Sequence, residues 1–304
     1  MRRRTFLKTC GSVLGLGLSG GAGMIFPLRG NDAWGQTHHS PGEMKRRGPL
    51  DLRYQGTHIL THGALRHLAD RYNRLGPGRL TVAGGGCDDG ITATMQGDVD
   101  LGGMCCPVEG SRAEGLNWLT VARDIKTVVT HPDNPLDGIG LQELRAVARG
   151  RILRWNELGG TDRPIALVVR RHCADFFEPV RQLLLDGEPA WSQRALFVDT
   201  DKQLIETVIR FRGAVGLVSW VFAQPMVAAG KLKILSVDGA QPSLAAVQNG
   251  GYTLTGPLNL IFSRWRAPAM APFFDFLYGD EGAAIISRRL VPVSGEEAGY
   301  PRRV

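Results

Sequence analysis

Gly84-Gly85-Gly86-Cys87-Asp88-Asp89-Gly90 follows an alternating segment, Arg79-Leu80-Thr81-Val82-Ala83, and runs at once into Ile91-Thr92-Ala93-Thr94-Met95-Gln96. Alternation predicts a short strand over 80–83, and the stretch after Gly90 predicts a helix over 90–96. A strand that passes through glycines into a helix start gathers backbone N–H groups at the positive end of a helix dipole, which suits an anion. Upstream, Leu50-Asp51-Leu52-Arg53-Tyr54 reads as a strand ending at Gly56-Thr57-His58. Apolar residues at helical spacing then run from Ile59 to Tyr72. Downstream, Val99 to Met104 reads as a third strand leading into Cys105-Cys106-Pro107. This βαβαβ progression predicts an α/β fold with an open parallel sheet and a ligand side at the strand C-termini.

The pattern continues along the chain. Strands are predicted over 118–122, 125–129, 164–169, 214–218, 232–237 and 258–262. Helices are predicted over 141–148, 174–185, 201–211, 242–247, 270–277 and 281–289. Trp155 reads as a packing anchor in a loop, Met95 and Met104 as core residues, and His62 and His67 as surface or packing residues. The chain has 304 residues, 43% of them hydrophobic, enough for one large domain or two modest ones. Its formal charge is +7, of which residues 1–35 supply +4. The remaining +3, without a basic patch interleaved with aromatics, excludes a nucleic-acid partner.

Arg2-Arg3-Arg4-Thr5-Phe6-Leu7-Lys8 is a charged start, Cys10 to Phe26 is a glycine-rich weakly apolar run, and Ala33-Trp34-Gly35 offers a cleavage site. Residues 1–35 thus resemble a twin-arginine signal peptide and predict a periplasmic protein exported by that route. Residues 36–49 read as a flexible linker. No later apolar run approaches the length of a transmembrane helix, so none is expected in the mature chain. Cys87, Cys105, Cys106 and Cys173 remain beyond the signal. In an oxidising compartment such cysteines are paired, buried or ligands.

Several stretches together resemble the periplasmic phosphate-binding proteins of ABC import systems, from about residue 50 to 292. They are Gly56-Thr57-His58, the Gly84–Gly90 loop with Gly97-Asp98-Val99-Asp100, Asn134-Pro135, and Gly150 through Trp155-Asn156-Glu157-Leu158-Gly159-Gly160. The others are the strand ending at Arg170 before Phe176, Gly213-Ala214-Val215-Gly216-Leu217, and Gly251-Tyr252-Thr253-Leu254. The resemblance implies a type II-like, two-lobe periplasmic-binding-protein fold, with discontinuous lobes joined by crossing hinge strands. Lobe 1 would be residues 50–130 and 222–304, and lobe 2 residues 131–221. Such a protein works by closing on its ligand, not by catalysis, and hands it to a membrane permease or a sensor protein.

Set against that family, the loops of this chain depart in chemistry. Where the family offers hydroxyls, this chain places Cys87-Asp88-Asp89, Cys105 beside Cys106, and His172-Cys173-Ala174-Asp175, with His58 in the first loop. The resemblance brings Thr57, His58, Cys87, Asp88, Asp89, Cys105, Arg170, His172, Cys173 and Asp175 to one cleft. Thiols with imidazole suit soft cations. The leading expectation is therefore a copper or zinc ion, or an arsenic-type metalloid, held by Cys87, Cys105 and Cys173 with Cys106 or His58. Three further readings stand beside it. The cleft could bind phosphate or another oxyanion through Arg170 and the glycine nest. Cys87 could form a disulfide with Cys105 or Cys173. Cys173 beside His172 could serve as a nucleophile.

Overall fold

The computed structural model describes residues 48–171 and 178–300, all within one compact unit. Strand β1 (Leu52–Thr57) leads directly into a helix that changes pitch along its length. It begins as α1 (His58–Leu60), opens into a π-helical turn over Thr61–Leu65, and continues as α2 (Arg66–Leu75), which Gly76 ends in the left-handed conformation. Next come β2 (Leu80–Gly85), α3 (Cys87–Gln96) and β3 (Leu101–Met104). β1 pairs in parallel with both β2 and β3, so the predicted parallel unit is present with β1 at its centre.

β4 (Asn117–Thr130) is one strand of 14 residues where the sequence predicts two. Beyond it lie β5 (Gly138–Ile139), α4 (Leu141–Ala148), β6 (Ala166–Arg170), α5 (Pro179–Leu185) and β7 (Leu196–Val198). α6 (Asp201–Arg210), β8 (Ala214–Ser219), α7 (Trp220–Ala228), β9 (Lys233–Val237) and α8 (Leu244–Gln248) follow. β10 (Thr255–Phe262), α9 (Ala267–Tyr278), α10 (Asp280–Ile286) and β11 (Val291–Pro292) close the chain.

The principal strand order is β2-β1-β3-β10-β4-β8-β6-β7. The sheet is mixed, because β10 and β11 run antiparallel to β4, and so do β8 and β9. β4 carries this architecture. Its first part, from Asn117 to Ile125, pairs with β10, and its last part, from Lys126 to Thr130, pairs with β8. It thus belongs to the sheet on both sides of its midpoint.

Close backbone packing sets the position of α3. A methyl group added at Gly90 would lie 2.7 Å from the carbonyl oxygen of Gln55, and one at Gly56 would lie 2.3 Å from the amide nitrogen of Gly103. Neither position tolerates a Cβ without backbone movement. α3 therefore rests directly on β1, and its first residue is held at the C-terminal end of the parallel unit. On the other side of β4, Trp155 is buried among Leu144, Val147, Leu167, Val169 and Val215. Its indole N–H donates to the carbonyl of Gly213 at 3.0 Å. It is the packing anchor the sequence predicts. Met104 is buried as expected, whereas Met95 is 60% exposed and forms no part of the core.

Candidate functional site at the strand ends

Three turns meet at the C-terminal ends of β1, β2 and β3. Thr57 is the residue preceding α1 and is buried; its carbonyl accepts a 2.9 Å hydrogen bond from the Thr61 hydroxyl. His58 opens α1, and its ring would lie 3.5 Å from a methyl group placed at Gly84. That is ordinary van der Waals contact, so the imidazole packs over Gly84. Burial, and then the charge of Arg170, hold the His58 pKa below the ordinary histidine range, against the opposing pull of Asp201 and Asp89. His62 stacks on His58 with ring centroids 6.0 Å apart and meets Phe222 edge-on. Burial, Arg66, His58 and Arg289 lower its pKa to about 4.

The glycine nest has a local explanation. Gly86 precedes α3 in extended conformation, and its N–H donates to the Asp89 carboxylate at 3.0 Å. Asp89 is thus a helix-capping group. Asp88 points elsewhere and pairs with Arg112 at 3.2 Å, with both side chains nearly half exposed. Cys87, the first residue of α3, is buried against Cys105, with the two Sγ atoms 3.4 Å apart. The Cys105 N–H also donates to Cys87 Sγ at 3.3 Å. Cys106 is buried beside them, and its carbonyl accepts a 2.8 Å hydrogen bond from Asn259.

Arg170 ends β6, and Asp201 begins α6. Their side chains pair at 2.9 Å and are mostly buried. Beside them is a cavity of about 30 Å³, room for about one water molecule, lined by Lys126, Arg170, Glu178, Asp201 and apolar neighbours. Lys126 pairs with Asp124 at 2.8 Å, and Asp124 in turn accepts a 2.6 Å bond from the Ser219 hydroxyl. Burial would depress the Lys126 pKa, but Asp124, Glu178 and Cys105 outweigh it and raise the value. Burial raises the pKa of Glu178, against the pull of Lys126. One Glu178 oxygen accepts from the Arg181 N–H at 2.9 Å, and the other has no hydrogen-bond partner among the described residues.

The structure therefore brings Thr57, His58, Cys87 and Cys105 to adjacent strand ends. Arg170 lies near enough for its charge to bear on His58. His172, Cys173 and Asp175 lie outside the described residues. Sequence reasoning missed Asp124, Lys126, Glu178, Asp201 and Asn259. A signal existed for two of them: Asp124 and Lys126 flank Ile125 at i and i+2 and so share a face of a strand.

Comparison with known proteins agrees with this geometry. The family model described as a PBP superfamily domain matches residues 51–281. The phosphate-binding protein PstS of Bacillus subtilis is 26% identical over 207 residues, covering 66% of this chain and 66% of that protein. The phosphate-binding protein PstS of Borreliella burgdorferi is 22% identical, covering 58% of this chain and 65% of that protein. The chain thus spans just under two thirds of the length of these curated relatives. Among solved structures, one assigned as a phosphate ABC transporter substrate-binding protein of Clostridium perfringens, with bound phosphate, has a TM-score of 0.71. Its identity to this chain is 21%, with coverage of 80% of this chain and 100% of that one. The resemblance drawn from the loop residues is borne out.

The expectation of a copper, zinc or arsenic-type metalloid ligand is corrected. The relatives are phosphate-binding proteins, one of them with phosphate bound. Among the described residues, no three His, Cys, Asp or Glu side chains converge as metal ligands would. The physical reason is local: the Cys87 and Cys105 sulfurs meet, but Asp88 and Asp89 are taken up by Arg112 and Gly86, so neither carboxylate joins them as a third ligand.

Proposed function

The chain belongs to the PBP superfamily, and from that premise we propose that it is an exported solute-binding protein that captures phosphate or a closely related oxyanion. The observation that carries this reading is the disposition of Asp88 and Asp89. Two carboxylates in the glycine loop would repel an anion if both faced it. One caps its own helix and the other pairs with Arg112, so the loop retains the character of a helix-start anion site. Thr57 and the backbone at the start of α3 supply donors from one side, and Arg170 supplies the cation from the other. Arg170 is oriented by Asp201, as a guanidinium that must meet an oxyanion in one geometry should be.

In this reading lobe 1 comprises residues 50–130 and 222–304, lobe 2 comprises residues 131–221, and β4 is one of the strands that cross between them. An oxyanion touching both lobes selects the closed form. The closed form is what an ABC permease recognises. Residues 1–35 direct export to the periplasm by the twin-arginine route. The protein binds its ligand and performs no reaction on it.

Isothermal titration of the mature chain with phosphate, arsenate and sulfate tests the proposal. Saturable phosphate binding with a micromolar or tighter Kd is expected. Failure of all three oxyanions to bind below millimolar concentration would sink it.

A further inference from the structure

We propose that Cys87 and Cys105 form a redox-sensitive dithiol beside the anion site, and that its closure to an internal disulfide weakens oxyanion capture. The second clause rests on the oxyanion reading above. The two cysteines come from neighbouring turns. Cys87 is the first residue of α3, immediately after β2, and Cys105 is the first residue after β3, with β1 between the two strands. Their sulfurs are 3.4 Å apart, in contact but beyond the length of an S–S bond. A disulfide requires closure to about 2.05 Å, so sulfurs already in contact need only a small movement. Both cysteines retain 9% exposure, whereas Leu101 on the same strand unit has none. Bonding between the adjacent residues Cys105 and Cys106 would be strained.

The oxidant is a disulfide-bearing compound, such as oxidised glutathione or a dithiol oxidoreductase. One protein thiolate attacks it, forms a mixed disulfide and expels one thiol. The second protein thiolate then attacks the mixed disulfide and expels the other thiol. Two protein thiols become one disulfide, and two electrons and two protons leave with the reduced oxidant.

Closure has a consequence for the ligand. It draws the first residue of α3 toward the end of β3 and removes both S–H donors. It also displaces the bond by which the Cys105 N–H donates to Cys87. The N–H groups of the first turn of α3 are then aimed away from the position they hold in the reduced form.

The test uses the full mature chain, prepared reduced and then equilibrated with oxidised glutathione. Mass spectrometry and peptide mapping identify any disulfide, and phosphate titration compares the two forms. The expected result is a loss of 2 Da, a Cys87–Cys105 cross-linked peptide, and phosphate affinity at least tenfold weaker, restored by dithiothreitol. Cys106→Ser should keep the 2 Da response, and Cys105→Ser should lose it. The proposal is overturned if Cys87 and Cys105 stay titratable after oxidation, if either pairs with another cysteine instead, or if both forms bind phosphate equally. Reduced protein that binds no phosphate overturns the oxyanion reading, and the coupling with it, while the peptide map still decides the disulfide.

Discussion

Arg170 carries much of the proposed oxyanion site. Its partner Asp201 fixes the guanidinium, and its charge bears on His58 at the strand ends. Charge-assisted hydrogen bonds contribute about 1.5–3 kcal/mol each, so Arg170→Gln should weaken phosphate binding about 10- to 100-fold. Calorimetric titration measures this, and an unchanged Kd would remove Arg170 from the site. The histidines give a second prediction. The His62 pKa falls from 6.5 to about 4 on folding, so between these values the unfolded chain binds more protons than the folded one. Stability should therefore fall as pH is lowered from 6.5 toward 4. His62 is only half-buried, and screening limits the effect to about 1 kcal/mol. Urea midpoints across this range should show the slope, and His62→Gln should flatten it. At this scale the roles of the two loop aspartates were not legible in the sequence. The Gly86–Asp89 cap spans only three residues, yet the sequence reading assigns Asp89 to the ligand, because neither residue belongs to the usual Ser/Thr and Glu/Gln capping pair. The pairing of Asp88 with Arg112, 24 residues away, depends on how the chain returns and left no mark in the local pattern.

Among the elements, α3 and β4 position the site in different ways. α3 is fixed by contact, since Gly90 leaves no room for a side chain against β1. Gly90→Ala should destabilise the protein by about 1–3 kcal/mol, measured by urea unfolding. A neutral result would show that α3 can lift from β1. β4 is fixed by pairing and carries a buried charge pair. Lys126→Met leaves Asp124 without its cation and should cost about 3–5 kcal/mol. Adding Asp124→Leu to that variant should recover most of the loss. If the double variant is no better than the single, the pair is not acting as a unit. The same pair explains why β4 read as two strands. Arg123 and Asp124 interrupt the alternation, and only the tertiary partners Lys126 and Ser219 make a buried carboxylate tolerable there. α7 was missed for a related reason, because Pro225 inside it argues against a helix. The Ser219 hydroxyl, which accepts from the Val221 N–H at 3.2 Å, was the available signal for its start.

For the whole molecule, the proposed lobe closure should appear as a fall in the radius of gyration when phosphate is added, measured by small-angle scattering. Identical profiles with and without bound phosphate would leave a rigid receptor. The parallel unit β2-β1-β3 was legible because each strand, glycine turn and helix is contiguous in sequence. The antiparallel pairings of β4 were not, because all its partners stand far away in the chain. Those distances also bear on how the molecule is made. β8, β9, β10 and β11 are all synthesised after β4, the first beginning at Ala214 and the last at Val291. At about 5–20 residues per second, β4 waits on the order of ten seconds before its partners emerge. During that interval a 14-residue strand, half of it apolar, leaves the ribosome with both edges open. The growing chain must be shielded there until its last third has been translated.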